Sequence, residues 1–153
     1  MILKLRQRMA RDESGFTLVE LLVVMLILGL LAAIAIPAFF NQRNKAKDAS
    51  AKEAARTAET SMETFATDNG GSYANATVAA LQNIESTLNG ANLTVPVHTA
   101  TSYKVTVTST TGNAFSIARN ANGTTVLSCT PANTDGCPAT TATTAPAGDW
   151  GNG

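Results

Sequence analysis

The sequence predicts an α+β protein, with one long N-terminal helix packed on a three- to four-stranded antiparallel sheet. Three observations lead there. A 25-residue apolar block runs from Phe16 to Phe40 with Glu20 as its single charge. Small and apolar residues then recur at helical spacing as far as Phe65. Beyond Tyr103, short runs of alternating apolar and polar residues are separated by Asn- and Gly-rich turns.

The first element is the apolar block. At 1.5 Å per residue a helix over Phe16 to Phe40 measures about 37 Å, enough to cross a hydrocarbon layer of roughly 30 Å. Gly29 and Pro37 weaken it locally, since glycine lowers helix propensity and proline removes a backbone donor. The helix is expected to continue over Asn41 to Asp68 with a buried stripe of Ala51, Ala55, Ala58, Met62 and Phe65. Asp48 with Lys52, and Arg56 with Glu59, read as pairs on its solvated face. Asn69-Gly70-Gly71 stops it.

From Ser72 to Thr101 the chain reads as a connection, with Val78, Leu81, Ile84 and Leu88 spaced for one short helix. Three strands follow, around Tyr103 to Thr108, Phe115 to Ile117 and Thr124 to Cys129, joined by turn-forming residues. His98, beside Pro96, reads as a loop histidine. Residues 138–153, rich in Thr and Ala with one Trp150, read as a loose surface extension.

This second part is thin. Among the 113 residues from Asn41 onward only 13 are Ile, Leu, Val or Met and five are aromatic. So small a core leans on a crosslink or on neighbouring subunits. If the part is exported, Cys129 and Cys137, close in sequence, are expected to pair and close a loop over 129–137. Closing it stabilises by roughly 2 to 3 kcal/mol.

Composition excludes several classes. One histidine and two cysteines cannot complete an all-protein zinc site, and no P-loop or His-Glu-x-x-His spacing occurs. No catalytic, metal or cofactor site is expected, and the protein is read as no enzyme. Eleven basic and eleven acidic residues cancel, so strong nucleic-acid binding is not expected. Three Asn-x-Ser/Thr patterns, at Asn75, Asn92 and Asn122, are what chance gives a chain with 22 threonines.

The apolar block has two plain readings. One is a secretory signal peptide, with Lys4, Arg6, Arg8 and Arg11 ahead of it and Ala33-Ile34-Ala35 as a cleavage site. The other is an ordinary anchor. The block is long for a signal, and Glu20 inside lipid costs on the order of a few kcal/mol. Basic residues tie across it, four before and Arg43, Lys45, Lys47 and Lys52 after, so charge alone sets no orientation. A disulfide in the second part would put that part outside the cytoplasm and the N-terminus inside.

Gly15-Phe16-Thr17-Leu18-Val19-Glu20, behind a basic leader and ahead of Ile34-Ala35-Ile36-Pro37-Ala38-Phe39, resembles the N-terminus of type IV prepilins and of type II secretion pseudopilins. The motif-level likeness covers about residues 9–68. It implies a type IV pilin fold. It also implies a leader over 1–15, removed by prepilin peptidase between Gly15 and Phe16 with N-methylation of Phe16. Residues 16–40 become a membrane-spanning and filament-core helix, and 41–153 a periplasmic or extracellular head. Glu20 is implied to meet the N-terminal amine of an adjoining subunit. Between positions such as Gly29 and Pro37, helices of assembled pili are often unwound. A C-terminal disulfide loop is common in type IV pilins, whereas major pseudopilins usually lack it and bind calcium.

The expected function is thus a structural subunit of a type IV pilus. It would sit in the inner or cytoplasmic membrane, N-terminus inside, and then in a cell-surface filament. Its implied partners are further copies of itself, prepilin peptidase, the inner-membrane assembly platform and minor pilins. The alternatives are a pseudopilin of a type II secretion system or competence pilus, and a membrane-anchored binding module that never polymerises.

Overall fold

The structure, a computed structural model, describes residues 15–139 and residue 150. The expected leader, save Gly15, and most of the expected tail lie outside the described residues. The chain divides after Phe40 into two compact units.

Helix α1 (Leu18–Asp68) is a single element of 51 residues and continues through both Gly29 and Pro37. In the first unit, residues 15–40, nearly every side chain on it is exposed.

The second unit is a four-stranded antiparallel sheet in the order β1-β2-β3-β4 beside the remainder of α1. Its strands are β1 (Leu93–His98), β2 (Tyr103–Thr108), β3 (Ala114–Arg119) and β4 (Thr125–Thr130). The α+β architecture is the expected one. β2 shows why it forms: Tyr103, Val105 and Val107 are buried while Lys104, Thr106 and Thr108 between them are half-buried. Phe115 and Ile117 of β3 join the same face, opposite Val107 and Val105.

On α1 the buried stripe is Asp48, Ala51, Ala55, Ala58, Ser61, Met62 and Ala66. It differs from expectation at its end. Phe65 is only half-buried and Ala66 takes the buried place. Small alanines let the sheet approach closely, and Met62, Leu81, Leu88, Tyr103 and Phe115 fill the space around them. The helix stops as its sequence dictates. Gly70 and Gly71 have φ of 66° and 83°, and the Gly71 N–H returns to the Ala66 carbonyl at 2.7 Å.

The connection holds more structure than expected. Helix α2 (Val78–Ile84) is capped by Thr77, whose side chain accepts from the Ala80 N–H. A separate 3-10 turn (Ser86–Gly90) follows, because Glu85 is extended, and together the two elements bury Leu81 and Leu88. β1 lies within the stretch that the sequence reads as a connection. It is an edge strand whose pairing with β2 is irregular between Thr94 and Val97, where Pro96 lacks a donor. His98 ends that strand, its Nδ1 2.8 Å from the Ala74 carbonyl oxygen.

Of the two charge pairs expected on the solvated face of α1, that of Asp48 with Lys52 is corrected. Asp48 is fully buried, and its carboxylate accepts from Thr111 Oγ1, from Asn113 Nδ2 at 2.7 Å and from the Gly136 N–H at 2.9 Å. Burial pushes this carboxyl up, but donors from Thr111, Ser109, Asn113 and Gly136 outweigh it, and the group titrates below its ordinary value. Lys52 Nζ lies 5.4 Å from the Phe115 ring centre, and the Arg56 guanidinium 5.2 Å from that of Trp150. Trp150 itself is buried rather than loose. Its Nε1–H donates to the Ser128 carbonyl at 3.0 Å, and its ring meets Phe115 edge-on.

Cys129 and Cys137 are joined, with Cα atoms 5.7 Å apart.

Candidate processing and assembly site

The first turn of α1 is built by two residues. The N–H of Thr17 donates to Glu20 Oε2 at 2.9 Å, and Thr17 Oγ1 donates to the same oxygen at 2.8 Å. In return Glu20 N–H points at Thr17 Oγ1, 3.2 Å away. This reciprocal arrangement is a capping box, the pattern that Thr17-Leu18-Val19-Glu20 encodes. It satisfies donors the helix leaves open at its start, and it sets a carboxylate where the helix dipole is positive. The sequence singles out Glu20 as the lone charge of the block but does not single out Thr17. The Thr-x-x-Glu spacing carried the signal.

Gly15 and Phe16 precede the helix, and both are exposed, Phe16 at 83%. A chain cut between them would leave its new amine on Phe16, one residue before the cap and four before Glu20. Thr17 binds Glu20 through Oε2.

Downstream, the apolar side chains stand outward on every side: Leu18, Leu26 and Ile34 are 77%, 67% and 72% exposed. The helix contains a window with mean hydropathy 2.9 of which none is buried, long and apolar enough to cross a membrane. A helix apolar all round requires lipid or other helices against it.

Gly29 lies in mid-block. A Cβ there would meet nothing within 4 Å, so packing within the chain does not call for glycine. Pro37 offers no N–H to the Ala33 carbonyl four residues back, yet the helix is unbroken. Glu20, Gly29 and Pro37 thus share one helix, while the Cys129–Cys137 bridge belongs to the second unit.

The first unit is thus an exposed apolar helix with a capped carboxylate in its first turn. Residues 10–36 match the family model of the prokaryotic N-terminal methylation motif, a stretch containing Gly15, Phe16, Glu20 and Gly29. The chain is 37% identical over 59 residues to the type II secretion system core protein G of Pseudomonas aeruginosa, covering 39% of this chain and 42% of that protein. It is 42% identical over 53 residues to the type IV major pilin protein PilA of Myxococcus xanthus, covering 35% of this chain and 24% of that pilin. The chain therefore spans less than half the length of either curated relative. No solved structure matches it. The family match lies in the N-terminal segment, over the methylation motif.

Proposed function

We propose that the chain is a prepilin, processed between Gly15 and Phe16 and polymerised into a type IV pilus. The observation that carries this is the helix of residues 18–40, exposed on all sides and headed by the Thr17–Glu20 cap. Before assembly lipid covers it, with the N-terminus in the cytoplasm and the head outside. After assembly other copies cover it, and the filament core replaces the bilayer.

Glu20 supplies the charge logic. An ammonium on Phe16 and a carboxylate on Glu20 are each costly in an apolar core and offset one another when paired. The cap holds Glu20 along its own helix, so the amine it meets is that of an adjoining subunit. Gly29 and Pro37 mark where the helix yields when subunits pack. Prepilin peptidase, an inner-membrane assembly platform and minor pilins are the partners this role requires.

A second reading is a pseudopilin of a type II secretion system, favoured by the likeness to core protein G. Purified surface filaments, imaged and then analysed by mass spectrometry, test the proposal. Filaments built of this chain from Phe16 onward support the pilus reading. Loss of protein secretion on deletion, with no filament at the surface, supports the second.

A further inference from the structure

The second unit carries three Asn-x-Thr triplets, and the fold treats them differently. In Asn75-Ala76-Thr77 the middle residue is buried, and the Thr77 hydroxyl is taken up in capping α2. In Asn92-Leu93-Thr94 the middle residue is again buried, and Thr94 Oγ1 donates to the Thr106 carbonyl of β2 at 3.4 Å. Both triplets are thus fastened to the core through the residue beside the asparagine. Asn122-Gly123-Thr124 is exposed at all three positions.

This third triplet forms the tip between β3 and β4. Gly123, with φ of 86°, turns the chain, and the Asn120 N–H donates to the Thr124 carbonyl at 2.9 Å to close the turn. The hydroxyl of Thr124 acts as a relay. It accepts from Asn120 Nδ2 at 3.0 Å, which directs its own proton to Asn122 Oδ1, 2.7 Å away. The Thr124 N–H donates to the same oxygen at 3.0 Å. The amide oxygen of Asn122 therefore holds two donors, while its Nδ2 has no partner among the described residues. An amide nitrogen is a poor nucleophile because its lone pair is shared with the oxygen. When it gives up a proton, charge gathers on that oxygen, and donors already aimed there stabilise it.

We infer that Asn122 is a glycosylation site, and that its donor is a saccharide held through C1 on a lipid-linked diphosphate. Nδ2 loses one proton to a basic group of the transferase and bonds to C1. The bond from C1 to the diphosphate oxygen breaks, and the lipid diphosphate leaves with the electron pair. Nothing is oxidised or reduced. Such triplets are used on exposed turns of exported chains, so the inference rests on the reading above that puts the head outside the cytoplasm.

The test is peptide mapping by mass spectrometry, with fragmentation to place any sugar, on the full protein purified from a native host. Wild type should carry a saccharide on Asn122, with Asn75 and Asn92 bare. Thr124→Val keeps the asparagine and the shape of its neighbour but removes the hydroxyl, and it should abolish the modification. Thr124→Ser restores the hydroxyl and should retain it. Both changes lie at an exposed position, and Trp150 emission reports that each variant folds. A bare Asn122 in wild type, a sugar on Thr124 or Thr125 in its place, or full occupancy in Thr124→Val overturns the inference. The start of the chain, read from the same maps, separates the two readings. A chain beginning at Phe16 with Asn122 bare defeats this inference alone, and an uncut chain with Asn122 bare defeats both.

Discussion

The backbone N–H of Gly136 donates to the carboxylate of Asp48 at 2.9 Å, tying the crosslinked loop to the helix 88 residues earlier. The approach is close. A Cβ on Gly136 would fall 2.5 Å from Asp48 Cβ, so the position admits no side chain without displacing the loop or the helix.

Asp48→Ala should destabilise the head by about 2 to 4 kcal/mol, because it leaves buried donors of Asn113 and Gly136 unsatisfied. Chemical denaturation of the purified protein measures this. A loss within error of zero would mean water takes over the carboxylate's role.

The same carboxylate predicts a pH dependence. Its folded value lies below its unfolded value, so its stabilisation is complete above about pH 4 and is lost as pH falls through the folded value. Denaturation midpoints measured between neutral and acid pH should fall on the acid side, and fall less in Asp48→Asn. Identical pH profiles for the two proteins would contradict the assignment.

Trp150 is the only tryptophan in the chain, so its environment can be read by fluorescence. Packed against Phe115, Lys52 and Arg56, it should emit at short wavelength when folded and shift to the red on unfolding. Trp150→Ala should cost about 1 to 3 kcal/mol. Emission typical of water in the native protein would place the indole outside the core.

Cys129→Ser should lower the stability of the head by roughly 2 to 3 kcal/mol, the chain-entropy value for so short a loop. Peptide mapping without reductant should yield one linked pair of peptides. Free thiols throughout would contradict the crosslink.

Much of the architecture was legible because it rests on local signals. The apolar block, the Asn69-Gly70-Gly71 stop and the alternation of Tyr103, Val105 and Val107 each show themselves within a few residues. β1 was hidden by Pro96 and by the irregular pairing between Thr94 and Val97, which spoil a period-2 pattern. Asp48 and Lys52 mislead for a different reason. Their spacing of four is that of a surface pair, and the partners that bury Asp48 lie 63 to 88 residues away. Trp150 stands in a polar segment whose composition says nothing of Ser128 or Phe115. At the candidate site, Glu20 was visible as a lone charge, while Thr17 needed the cap pattern to be noticed.

Processing is expected between Gly15 and Phe16. Intact mass and N-terminal analysis of protein from a native host should find a chain beginning at N-methylated Phe16. A chain beginning at Ile36 would instead establish a conventional signal peptide.

The central claim is that Glu20 neutralises the amine of a neighbouring subunit in an apolar filament core. The most direct measurement is filament yield from cells making Glu20→Ala, scored against the fraction of the variant cleaved after Gly15. The account predicts normal insertion and cleavage with filaments abolished or sharply reduced, and nearly the same for Glu20→Gln, which keeps size but not charge. Wild-type numbers of filaments from normally processed Glu20→Ala would contradict it.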